Sequence, residues 1–123
     1  MAESLTRSEK LVLVRTVLSL LENWSANDDE ARAILNLPSA TYAEWRGNNA
    51  SNVSSERVYR LTLLLQIHAA LRMRFSDAGR AAGWMSRPND TFSGRTPLAL
   101  IAGGDLASIE RLLAYLTADL SPW

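Results

Sequence analysis

The chain has no cysteine, a single histidine, a single lysine and no long apolar run in its 123 residues. Without cysteine there is no disulfide framework, no thiol nucleophile and no thiolate metal site. His68 has no acidic residue one helical turn away on either side. A general base needs a reacting group within reach and a metal needs further ligands, so His68 reads as a core or interface side chain. Asp28-Asp29-Glu30 complements a helix dipole better than it makes a cation site. Gly103-Gly104-Asp105 lacks the lysine and the glycine spacing of a phosphate loop. The expectation is a protein without enzymatic activity, catalytic metal or cofactor.

Charge of one sign is also lacking. Thirteen basic residues face thirteen acidic ones, with a pI near 6.6. That balance argues against a chain-wide electrostatic grip on nucleic acid or anionic lipid. The apolar stretches carry arginines at helical spacing and are too short to span a bilayer. Glu3, Glu9 and Lys10 interrupt any signal-like run. A soluble, cytoplasmic protein with no membrane partner is expected.

What is present reads as helix throughout, about seven of them, with nothing reading as a strand. Apolar residues make up 47% of the chain, enough for one domain or two subdomains sharing a core. Thr6-Arg7-Ser8-Glu9 has capping-box spacing before the stripe Leu11, Val14, Leu18 and Leu21, which ends near Trp24. Asn27 to Glu30 opens a second helix, with Ala31, Ile34 and Leu35 facing inward. Asn36-Leu37-Pro38 turns the chain, Ser39 is placed as the cap of a short third helix, and Gly47 as its left-handed end. Ser54 or Ser55 begins the longest helix, to about Phe75. Its two stripes are Leu61, Leu64, His68, Leu71 and Phe75, then Leu63, Ile67 and Ala70, as a central or interface helix requires. Asp77 caps a helix through Trp84 and Met85, Thr96-Pro97 starts another, and Gly103-Gly104 precedes a last one capped by Asp105.

The segment from Asn27 to Arg46 has helix-turn-helix grammar: two short helices around a tight turn. Asn36 stands where glycine is usual, and asparagine tolerates the left-handed conformation better than most residues. With Tyr42 and Trp45 packed inward, the outer face offers Ser39, Ala40, Thr41, Ala43, Glu44 and Arg46. Base reading favours Arg, Lys, Asn or Gln, and this face has one arginine beside a glutamate. Ser39, Thr41, Arg46 and Asn48 are the DNA-contact candidates, and operator binding stays open.

The stretch "WMSRPNDTFSGRTPLALIAGGD", Trp84 to Asp105, is too elaborate for a simple connector. Trp84 reads as a core residue. Phe92, between Thr91 and Ser93 before a glycine, is harder to bury locally. Aromatic and arginine residues dominate interface hot spots, which marks Phe92, Arg87 and Arg95 as candidate partner contacts.

This stretch resembles the toxin-binding domain of the Xre/MbcA/ParS antitoxin family: Trp84, Pro88-Asn89, Gly94, Thr96-Pro97-Leu98, Gly103-Gly104 and the helix from Leu106. "ATYAEWRGNN" and "SSERVYRLTLLLQIHAALRMRF" look like the family's helix-turn-helix and connecting helix. The resemblance implies an all-α fold with an N-terminal helix-turn-helix bundle at 1–76 and a toxin-binding domain at 77–123. It implies a type II antitoxin whose partner is a RES-domain toxin that degrades NAD or transfers its ADP-ribose. The antitoxin would cover the toxin's cleft, act as a homodimer through its N-terminal helices, and repress its own operon through operator DNA. Arg87, Asn89, Phe92, Arg95, Leu120 and Trp123 are the toxin-contact candidates this reading selects. A stand-alone helix-turn-helix transcription regulator is the rival reading, and the recognition face poor in hydrogen-bond donors weighs against it.

Overall fold

A computed structural model of the chain describes residues 5–118. Among these residues there are seven α-helices: α1 (Arg7–Asn23), α2 (Asp28–Leu35), α3 (Ser39–Arg46), α4 (Ser55–Arg74), α5 (Ala78–Trp84), α6 (Pro97–Ile101) and α7 (Leu106–Ala118). A 3-10 turn covers Asp90–Phe92, and the sole extended pairing among them is an isolated bridge between Asn89 and Arg95.

Local chemistry sets the helix starts. Thr6 and Glu9 form a reciprocal capping box at α1, and Asn27 and Glu30 form another at α2. Each satisfies two amides that the first helical turn would otherwise leave open. Ser54 caps α4, Asp77 caps α5 and Thr96 caps α6 with Pro97 at its first position. Asp105 accepts from the Ser108 amide at 3.1 Å and opens α7.

Two expected ends come out differently. Pro38, not Ser39, is the N-cap of α3 and makes no side-chain cap bond. The proline ring presets the extended entry, so no hydroxyl is needed there. Gly47 sits at φ −89°, while the left-handed residue is Asn48 at φ 67°. Backbone bonds from the Gly47 amide to Ala43 and Glu44 close the helix first, so the chain reverses one residue later.

The core is one continuous cluster. Val14, Leu21 and Trp24 of α1 and its end, Ile34 of α2, Trp45 of α3, Leu64, Ile67 and Leu71 of α4, and Ile109 and Leu116 of α7 are all buried in it. α4 is the central helix, packed against α1, α2, α5 and α7. Both of its apolar stripes are used, except that His68 is exposed. The core assignment of His68 is therefore wrong: Leu64 and Leu71 fill that side, and the imidazole stays in water at the rim of a hollow beside Arg72 and Trp24.

Arg60 is the one charged side chain buried among the described residues. Its side chain is only 7% exposed, and its guanidinium donates to the Ile34 carbonyl at 3.0 Å. In a continuing helix that carbonyl would accept from residue 38, which is a proline without an N–H. Arg60 supplies the missing donor, and its burial holds the guanidinium below its usual pKa. Gly104, at φ +86°, lies so close to α2 that an added Cβ would stand 2.9 Å from the Ala33 carbonyl oxygen. The loop between α6 and α7 thus abuts the turn between α2 and α3.

Candidate functional site

Two surfaces matter. The first is the helix-turn-helix. Asn36 adopts φ 55°, ψ 52°, the left-handed turn that its residue type allows. Tyr42 and Trp45 pack inward, and the Tyr42 hydroxyl donates to Asp28 at 2.7 Å, tying α3 to the start of α2. Burial, then this hydrogen bond to a carboxylate, pushes the Tyr42 pKa up to about 12. The Trp45 indole N–H is buried and makes no hydrogen bond within the described chain.

One DNA candidate fails here. Thr41 is 7% exposed and faces the core, so it cannot reach a base edge. The eight-residue helix needs a third inward position beside Tyr42 and Trp45, and residue 41 falls on that side. Ser39 and Asn48 are exposed. Arg46 is exposed as well, with its guanidinium 3.4 Å from the Glu22 carboxylate. Such an exposed pair is worth at most about 1 kcal/mol, so Arg46 can exchange Glu22 for a phosphate at small cost.

The second surface lies on the C-terminal helices. The Met85 carbonyl accepts from the Leu98 amide at 2.9 Å, which ties the start of α6 to the end of α5. Between them the chain makes a tight projection. Asn89 donates its amide to the Arg95 carbonyl, and its own carbonyl accepts from Phe92 and Gly94. Its side-chain oxygen accepts from the Thr91 amide at 2.9 Å. Asn89 therefore holds the turn together, with its oxygen already committed inside. Ser93 and Gly94 are both left-handed, at φ 59° and 81°.

This turn carries Phe92 over α7. Its ring stands edge-on to Trp84 at 6.1 Å and to Tyr115 at 5.3 Å, while Trp84 and Tyr115 stack at 6.4 Å. Trp84 and Phe92 are half-buried, and Tyr115 is 37% exposed. Local packing thus covers more of Phe92 than its flanking residues suggest, and Trp84 is less enclosed than a core residue. Beside the rings a hollow of about 270 Å3 is lined by Phe92, Leu100, Ser108, Arg111 and Leu112.

Arg87 and Arg95 are exposed near this cluster. The Arg87 guanidinium lies against Gly83, and Arg95 donates to the Ala99 carbonyl at 3.3 Å. Arg87 thus packs back on α5 and Arg95 reaches forward along α6, flanking the turn that carries Phe92. Leu120 and Trp123 lie outside the described residues. Sequence reasoning missed Tyr115, Arg111, Ser108 and Leu100. Ser108, Arg111, Leu112 and Tyr115 follow the three-and-four spacing of one helix face, which was the available signal.

Among the described residues, no three His, Cys, Asp or Glu side chains converge as metal ligands, and no helix is long and apolar enough to cross a membrane.

Comparison with known proteins matches the two stretches of chain that carry these surfaces. Residues 3–62 match the Antitoxin Xre-like helix-turn-helix domain, and residues 70–118 match the Antitoxin Xre/MbcA/ParS C-terminal toxin-binding domain. The chain is also similar to the uncharacterized protein y4oB of Sinorhizobium fredii, with 31% identity over 101 residues covering 81% of this chain and 78% of that protein.

Proposed function

The chain belongs to the Xre/MbcA/ParS antitoxin family, a helix-turn-helix joined to a toxin-binding domain, and from that premise we propose that it neutralises a RES-domain toxin acting on NAD. In this reading the chain is a type II antitoxin of the cytoplasm with no chemistry of its own. The module from Asp77 onward covers the toxin's cleft, Arg87, Asn89, Phe92 and Arg95 face the toxin, and the tail carrying Leu120 and Trp123 plugs the entrance. The N-terminal helices join two copies, and the dimer represses its own operon through Ser39, Arg46 and Asn48.

The observation that carries this reading is the projected turn. Two successive left-handed residues and three hydrogen bonds to Asn89 hold an aromatic and Arg95 at the surface of the domain matched to toxin binding, with Arg87 exposed just before the turn. An inhibitor needs only such a preorganised surface, because rigidity cuts the entropy cost of association.

The test is co-expression with the toxin encoded beside the gene, reading cell survival and cellular NAD. Full-length protein restores both, and Arg87→Ala with Phe92→Ala restores neither. Deletion from residue 119 retains binding and releases NAD consumption. Equal protection by all three proteins, or no NAD loss with the toxin alone, overturns the reading.

A further inference from the structure

We propose that the hollow beside Phe92 seats one apolar side chain of the toxin, next to a toxin carboxylate that pairs with Arg111. This rests on the toxin-binding reading above and specifies the partner's chemistry at that surface.

The shape comes first. The hollow lies between the 3-10 turn, α6 and α7, with Phe92, Leu100 and Leu112 as apolar walls and Ser108 and Arg111 at the rim. At about 270 Å3 it falls just under the usual range for small-molecule pockets, roughly 300 to 1,000 Å3. That size suits a single anchoring side chain, the usual centre of a binding hot spot.

Its walls are fixed before any partner arrives. Phe92 is held against Trp84 and Tyr115, and Asp105 takes both the amide and the hydroxyl of Ser108. A preformed hollow loses little conformational freedom when it is filled.

The charge names the neighbour. Residues 77–118 hold four carboxylates and four arginines. Three of the carboxylates are engaged by this chain's own donors: Asp77 by the Gly79 and Arg80 amides, Asp105 by Ser108, and Glu110 by the Tyr59 hydroxyl. All four arginines and all four carboxylates are exposed, so the module as a whole carries no excess of either sign and only the local surroundings of the hollow select a partner. Arg111 at the rim feels the charge of Asp105 but forms no ion pair among the described residues, so an anionic group beside the apolar anchor complements it. A neutral apolar partner would leave that guanidinium stranded at the rim.

The experiment measures affinity of the full chain for an inactive form of the toxin encoded beside the gene. Leu100→Trp fills the hollow and Arg111→Glu reverses the rim charge. Each is expected to weaken binding about tenfold or more, while Arg7→Glu on the distant first helix leaves it unchanged. Arg111 is exposed, so its reversal leaves the fold intact, and circular dichroism with a melting curve verifies this for both variants. Raised salt weakens the unaltered protein more than Arg111→Glu.

The outcomes separate cleanly. No binding by the unaltered chain overturns the toxin reading and this inference together. Binding that survives both substitutions overturns the inference alone. Two further results also refute it: tightening on deletion of residues 119–123, which makes the chain's own tail the occupant, or self-association abolished by Arg111→Glu, which makes it a second copy.

Discussion

Replacing Gly104 with alanine tests the contact between the two halves of the fold. Gly104 sits at φ +86°, where a non-glycine residue costs roughly 1–2 kcal/mol. A Cβ there would stand 2.9 Å from the Ala33 carbonyl oxygen, and the obstacle is backbone, so no side chain can swing away. The loop between α6 and α7 must then lift from α2, an overpacking cost of about 1–3 kcal/mol. The stiffer unfolded chain returns about 0.4–1 kcal/mol. At the midpoints of these ranges the net cost is about 3 kcal/mol.

Gly94→Ala is the matched control. Its φ is +81°, and nothing lies within 4 Å of an added Cβ. It carries the conformational penalty alone, about 1 kcal/mol. For a chain of this length 1 kcal/mol lowers the midpoint by about 4 °C, so thermal unfolding should fall about 8–15 °C for Gly104→Ala and about 4 °C for Gly94→Ala. Amide exchange at Asn36 and Leu37 should accelerate only in the Gly104 variant, because Ala33 and Asn36 belong to the helix-turn-helix turn. Equal losses in the two variants would refute the argument that the C-terminal loop braces that turn.

How much of this was legible in the sequence depends on range. Caps at Thr6, Asn27, Asp77 and Thr96 are local, since the partner amide lies two or three residues away, and all four are found where their residue types put them. The left-handed Asn36 is legible for the same reason. Contacts across the fold are not. Nothing near Arg60 in sequence says that it replaces the donor Pro38 lacks, 22 residues away. His68 shares the spacing of Leu64 and Leu71, but periodicity cannot tell the centre of a stripe from its edge, and the imidazole falls outside. Thr41 failed in the opposite direction, because a short helix packed on two sides buries more of its face than two aromatics imply. The surface around Phe92 was half legible. Its turn chemistry and arginines could be read, while Tyr115 and the hollow arise only when α7 folds back over the turn.

Other substitutions follow from the same geometry. Arg60→Ala leaves the Ile34 carbonyl buried without a donor and should cost about 2 kcal/mol in urea unfolding; a loss under 0.5 kcal/mol would show that the bond is idle. Asp105 is held below its usual pKa, chiefly by the hydrogen bond from Ser108. The folded chain binds that proton more weakly than the unfolded one, so the stabilisation is present above the ordinary carboxylate range and is lost as pH falls through the folded value. Asp105→Asn keeps the cap and should flatten the acid limb of the stability profile below about pH 4; an unchanged limb would contradict the assignment. Phe92 serves two ends, and they can be separated. It makes two aromatic contacts, each worth about 0.5–1.5 kcal/mol beyond its area, so Phe92→Ala should destabilise the chain by about 2 kcal/mol before any partner is added. A double-mutant cycle with Tyr115→Ala should return a coupling of about 0.5–1.5 kcal/mol for the pair at 5.3 Å. Phe92→Leu keeps an apolar wall and loses the ring geometry, so it should recover part of the stability while the coupling to Tyr115 disappears. If Phe92→Ala proves neutral and the cycle shows no coupling, the ring is not braced by its neighbours, and the preorganised surface that the proposed function rests on is absent.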